Sequence, residues 1–166
     1  PADGRVVQID NCPADTGVMP LPYDSLRITI RTRPSDAQLH TSPLTGHLTD
    51  NCLFPGLFAP WPDIDREHGP ACSAHWEDMR SFNERRELTL CNAAGDKVIL
   101  VQLATKTARQ LVCRLAEGKH LSAGQPLGMA RLAGVTDIYL PAHSHCQVTL
   151  GQHVFAAETI LARLPS

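Results

Sequence analysis

The sequence predicts a mainly β fold of the β-rich α+β kind, a pseudo-symmetric barrel-like sandwich with a few short helices. Three observations carry that expectation: short apolar runs that alternate along the whole chain, a helical period that is weak everywhere, and two internal echoes. The echoes pair "PADGRVVQ" (1–8) with "PLTGHLTD" (43–50), and "EGKHLSAGQPLG" (117–128) with "LGQHVFAAETIL" (150–161). Each presents one turn-and-strand device twice, with glycine allowing the tight corner.

Taken in order, "RVVQI", "LRITIRT", "RELTLC", "KVILVQLAT", "QLVCRL", "DIYLP" and "CQVTL" read as strands bounded by Gly, Pro, Asn or Asp. "NAAGD" (92–96) supplies hairpin turn chemistry, so Leu88 and Leu90 are set to pair with the Val98–Leu103 run. Residues 73–86 hold the best helical pattern, with Ser73 as N-cap, and "TKTARQL" has room for one turn. Four prolines between residues 52 and 75 rule out continuous sheet and predict a long irregular loop over one face. Within it, Phe54, Leu57, Phe58 and Trp61 form an apolar cluster suited either to packing as a lid or to contact with lipid or a partner. In "MARLAGVTDIYLP" (129–141) the small pair Ala133-Gly134 reads as a tight turn into the strand that follows.

At 166 residues the chain suits a single domain over 1–166. It has no apolar run of the roughly 20 residues that span a bilayer. A net charge of -2 offers no basic stripe for a phosphate backbone, which excludes nucleic acid as a partner. The opening "PADGRVV" looks like the turn into a strand, so an upstream segment is expected. Cys12, Cys52, Cys72, Cys91, Cys113 and Cys146 form no C-x-x-C pair, which favours reduced thiols and a cytoplasmic location over a disulfide scaffold.

Three stretches in order, "PADGRV" (1–6), "RPSDAQLHTSPLTGHL" (33–48) and residues 83–141 from "NERRELTLC" to "DIYLP", resemble the phosphatidylserine decarboxylase family in its short form. The resemblance implies self-cleavage at a Gly-Ser bond. The serine hydroxyl attacks the preceding carbonyl, an ester forms, and elimination leaves a pyruvoyl ketone. That ketone binds the substrate amine as a Schiff base and withdraws electrons as carbon dioxide leaves. An aspartate of "PADG" and a histidine of an S-P-x-D-x-H strand assist the cleavage. A homodimer, and contact with the periphery of a membrane, are implied as well.

Carried over residue by residue, the catalytic positions are unequal. Asp3 matches the aspartate, although an Asp-Gly turn explains it equally. Gln38 stands where the histidine belongs, and His40 lies two residues on, displaced by roughly 7 Å along a strand yet on the same face. Without gaps, Ala133 falls on the family glycine and Gly134 on the serine that becomes pyruvoyl. Glycine has no hydroxyl, so the cofactor cannot form there. Thr136 is the nearest hydroxyl, with a ketobutyryl group as its product by the same chemistry. One uncut chain without a cofactor is expected, with Gln38, Ala133 and Thr136 left to line a substrate pocket.

His68, Cys72 and His75, and separately His143 and His145, are spaced so that zinc binding comes into consideration, though neither spacing is a standard signature and solvated loop histidines explain both. Lys97 in "AGDKV" is reminiscent of a lipoyl or biotin attachment site, but a plain polar turn suffices. Three functions remain in view. The first is an unprocessed homologue that binds a phospholipid head group, an amine metabolite or a protein partner. The second is a decarboxylase of phosphatidylserine or an amino acid working through a non-standard site, and the third is a metal-dependent enzyme built on the histidines.

Overall fold

Alternation in "LRITIRT" and "KVILVQLAT" sends successive side chains to opposite faces of a sheet. A computed structural model describes residues 1–14, 23–61, 70–132 and 134–165, leaving aside the side chains of 70–75. Its elements are β1 (Gly4–Cys12), β2 (Ser25–Thr32), β3 (Leu39–Thr41), β4 (Gly46–Phe54), α1 (Pro70–Phe82), β5 (Arg85–Cys91) and β6 (Lys97–Leu103), then β7 (Gln110–Val112), β8 (His120–Leu121), β9 (Pro126–Arg131), β10 (Gly134–Pro141), β11 (His145–Cys146), β12 (His153–Val154) and β13 (Ala162–Arg163). Eight antiparallel strands, in the order β12-β1-β2-β10-β6-β5-β4-β8, form one sheet that curls into a half-barrel. Strands β3-β9-β7 and β11-β13 make two smaller sheets.

Both faces of the central strands are buried. Ile28, Ile30, Ile138, Leu140, Val98, Leu100, Leu88 and Leu90 fill the inner face with Leu127, Val148 and Leu161. The alternate residues Ile99, Val101, Leu103, Val135 and Tyr139 meet Trp61, Trp76 and Met79 on the outer face, beneath α1. The β5–β6 hairpin has the expected register, Leu88 opposite Leu100 and Leu90 opposite Val98. Its turn closes through Asn92 and Asp96, with Gly95 at φ +91°.

The echoes are a duplication of the backbone. In β1, Val6 N–H donates to Gln152 and its carbonyl accepts from Gly151, at 2.9 and 2.8 Å; in β4, Leu48 does the same with Lys119 and Gly118, at 2.9 and 2.7 Å. Gly4 faces Val154 of β12, and Gly46 faces Leu121 of β8. A Cβ on either glycine would stand 2.2 Å from a carbonyl oxygen of the next strand, Arg31 and Cys91 respectively, so neither position admits a side chain. Gly118 and Gly151 both sit at φ +81°, and Gly124 and Ala157 at +79° and +63°. The half β12-β1-β2-β10 thus repeats as β8-β4-β5-β6, about a pseudo-two-fold axis between β10 and β6.

Several local expectations are corrected. The helix runs Pro70–Phe82 instead of 73–86, so Ser73 lies inside it and is not its cap; proline, with no N–H to lose, suits a first helical position. Asn83 ends it by turning its buried amide to the carbonyls of Ala59 and Ala104. The irregular loop shrinks accordingly: Cys52–Phe54 belong to β4, and residues 62–69 lie outside the described residues. "TKTARQL" forms no helical turn, because Thr105 closes a loop by accepting from Ala108 N–H. "QLVCRL" pairs only over Gln110–Val112, "CQVTL" only at Cys146, and the strand read as "DIYLP" begins three residues earlier, at Gly134.

One buried ion pair fixes α1 on the sheet. Arg80 and Asp137, each 1% exposed, meet in a bidentate contact: Nε to Oδ2 at 2.6 Å and Nη2 to Oδ1 at 3.1 Å. Arg80 also donates to Thr29 and Gln8, at 3.0 and 2.9 Å, and Thr29 Oγ1 donates to Asp137 at 2.6 Å. Burial pushes the Asp137 carboxyl up, but Arg80, Arg27 and the Thr29 hydroxyl together hold it below the usual carboxylate range. Removing Arg80 leaves the buried Asp137 carboxylate without its ion-pair partner, so Arg80→Ala is expected to cost about 3–5 kcal/mol in urea unfolding, and Arg80→Met with Asp137→Leu to recover most of it. The stabilisation from Asp137 is complete above the unfolded carboxyl pKa of about 3.9 and is lost as pH falls through the lower folded value.

Candidate functional site

Gly134 opens β10, with Thr32 of β2 as its register partner. Leu132, just before it, is held at φ +66°, and Ala133 lies outside the described residues. The conformation of Gly134 does not demand glycine. A Cβ there would meet Ala130 Cβ at 3.4 Å, Leu103 O at 3.5 Å and Ala108 Cβ at 3.6 Å, ordinary van der Waals contacts. The tight-turn reading of this glycine is thereby corrected: the strand has room for a small side chain that the chain does not supply.

His40 projects from β3 onto the inner face and is 2% exposed. The Gln102 side-chain amide of β6 hydrogen-bonds its Nδ1, and Thr136 Oγ1 lies 3.1 Å from its Nε2. Burial pushes its pKa down to about 3, so it is neutral at pH 7. The displacement read in the sequence recurs in space, because His40 meets residue 136, two positions beyond 134. Thr136 lies mid-strand, with Ile30 and Gln102 as its register partners, and is 1% exposed.

Gln38 and Asp3 serve the backbone. Gln38 Nε2 donates to the carbonyls of Arg33 and Asp36, at 3.0 and 2.7 Å, closing the turn before β3. Its own carbonyl accepts from Ala130 N–H at 3.3 Å, which places it one residue's width from Gly134. Asp3 Oδ1 accepts from Ala156 N–H at 2.6 Å, and the Asp3 carbonyl accepts from Thr32 Oγ1 at 2.6 Å. Thr45, its counterpart in the duplication, accepts from Ala123 N–H at 3.0 Å in the same way. Among the described residues no hydrogen bond joins Asp3 to His40.

Beside Gly134 lies a cavity of about 330 Å³. Arg31, Arg33 and Lys106 line it with Thr32, Thr107 and Trp61. The pyruvoyl group does not fit the residues present, because position 134 has no hydroxyl to become the ketone.

Among the described residues no three His, Cys, Asp or Glu side chains gather as a metal site. His143 lies in the turn after β10 while His145 begins β11, both exposed, so the pair does not share a strand face. His68 and the side chains of Cys72 and His75 lie outside the described residues. Cys12, Cys52, Cys91, Cys113 and Cys146 are free thiols. Lys97 is exposed at the start of β6, after the turn. No described helix is long and apolar enough to cross a membrane. Sequence reasoning missed Gln102 and Asp137, although a lone polar residue at an inward position of "VILVQL" and a lone charge in "VTDIYL" were the available signals.

The family model for phosphatidylserine decarboxylase matches residues 1–162. The chain is 32% identical to the phosphatidylserine decarboxylase proenzyme of Burkholderia ambifaria (strain MC40-6) over 167 residues, covering 99% of this chain and 69% of that protein. It is 30% identical to that of Nitrosomonas europaea over 164 residues, covering 98% and 67%. A third, from Burkholderia multivorans, is 31% identical over 167 residues, covering 99% and 69%.

Two measurements test this geometry. Gly134→Ala is expected to leave urea stability unchanged or raise it by about 0.4–1 kcal/mol, since alanine fits and costs the unfolded chain entropy, whereas Gly46→Ala is expected to be strongly destabilising. His40 is neutral when folded and takes up a proton when unfolded below about 6.5, so the urea midpoint is expected to fall between pH 6.5 and 4.5. His40→Gln is expected to flatten that part of the curve.

Proposed function

Because the chain belongs to the phosphatidylserine decarboxylase family, we propose that it is an uncut member that carries no pyruvoyl group and binds a phospholipid head group, an amine metabolite or a protein partner without decarboxylating it. One observation carries this reading. Without gaps the resemblance sets Gly134 at the cofactor-forming position, and a Cβ there would meet only ordinary contacts, which supports the reading that what is missing is the hydroxyl and not the space for it. The other working positions support it. Gln38 is spent on its own turn, His40 is committed to Gln102 and Thr136, and Asp3 caps the turn at Ala156.

The cavity beside Gly134, lined by Thr32, Trp61, Lys106 and Thr107, is the place where such a ligand would sit. Residues of this chain supply the binding alone; the electron sink that decarboxylation requires is missing.

Intact-mass spectrometry of the purified protein is expected to show one species, with no adduct after phenylhydrazine. Two fragments parting next to residue 133, or a hydrazone, would overturn the proposal. Ala133→Gly with Gly134→Ser is expected to remain uncut, since Gln38 still replaces the histidine; efficient cleavage would show that His40 or another base has kept the role.

A further inference from the structure

The duplication places two equivalent edge contacts at the ends of the large sheet, and their residues differ. Where β1 meets β12, Arg5 stands opposite His153; at the matching place, where β4 meets β8, His47 stands opposite His120. Residues directly opposite on an antiparallel pair share a face. Both His47 and His120 are exposed, and their ring centres lie 5.0 Å apart at an interplanar angle of 75°.

We propose that His47 and His120 form a two-histidine site for a divalent late transition ion, of the zinc, nickel or copper class, with water completing the coordination. Two imidazoles bonded at about 2.1 Å to one tetrahedral ion have ring centres roughly 5 Å apart, so the observed separation needs little adjustment. His47 is already oriented for the task. Its Nδ1 donates to the Gly118 carbonyl at 3.3 Å, which leaves Nε2 with the lone pair, the arrangement common to metal-bound histidines. Imidazole nitrogen favours zinc, nickel and copper over magnesium and calcium, which prefer oxygen. Binding ties β8 to β4 through side chains at a place where the backbone pairing covers only Gly46 and His47.

The other copy of the duplication supplies the control. Arg5 holds the place of His47 on the same backbone, so His47→Arg is a substitution that the fold already accommodates. Titration calorimetry with Ni²⁺ and Zn²⁺ is expected to show one ion per chain, with no response to Mg²⁺. His47→Arg and His120→Asn are each expected to weaken binding by roughly tenfold or more. The melting temperature is expected to rise with Zn²⁺ in the unsubstituted protein and not in the variants, while all three agree in chelator. Unchanged binding in either variant would overturn the proposal and assign the ion to other histidines, and so would the absence of any Ni²⁺ or Zn²⁺ binding.

Discussion

Asp137 sits on β10, with strands on both sides and α1 above, where a bare carboxylate would be too costly to keep. Arg80 makes its burial tolerable, and much of the outer face follows from that pairing. The helix must cross β10 where Nε and Nη2 both reach the carboxylate; Nη2 also lies within reach of Thr29 on β2 and Gln8 on β1, and the remaining nitrogen, Nη1, donates to Glu77. Trp61, Trp76 and Met79 fill the space beside that contact, over Val135 and Tyr139. With 135, 137 and 139 directed outward, 134, 136 and 138 are directed inward. The candidate site inherits its orientation from this pair.

The pseudo-two-fold duplication helps to separate fold from chemistry. A residue whose counterpart does the same work in the other half is accounted for by the fold. Asp3 and Thr45 both accept a backbone N–H from the turn that follows the short edge strand, and Gly4 and Gly46 both yield space to a neighbouring carbonyl. The aspartate of "PADG" therefore has a structural duty independent of any reaction. His40, Gln102 and Thr136 belong to the opposite category, a buried polar contact with its own requirements for satisfied hydrogen bonds.

Legibility in the sequence followed locality. The β5–β6 hairpin was readable because its turn chemistry and its apolar alternation are contiguous, and the echoes were readable because the turns that they encode are short. Strand β4 was read only at its start, as the strand half of the echo at 43–50, because beyond Leu48 it exposes most of its residues and no alternation marks it. Strand β9 carries Pro126 and Gly128, which look like breakers. Gly128 is there because a Cβ would stand 2.4 Å from the Val112 carbonyl. At the candidate site, the positions of Gly134, Gln38 and His40 were visible by simple register. The partners of His40 and of Asp137 were not, since Gln102 is 62 residues from His40 and Arg80 is 57 from Asp137.

The strand order also has a kinetic meaning. From β4 through β6 the chain builds neighbouring strands in succession, and β1 with β2 makes a second local pair. Nothing joins these two units within the sheet until β10 enters between β2 and β6, more than a hundred residues after β2 began. Closing so long a loop is entropically costly before its contacts repay it, which makes late insertion of β10 the natural slow step of folding. A ribosome must therefore release residue 141 before the large sheet can be completed, and until then each half presents an unpaired edge.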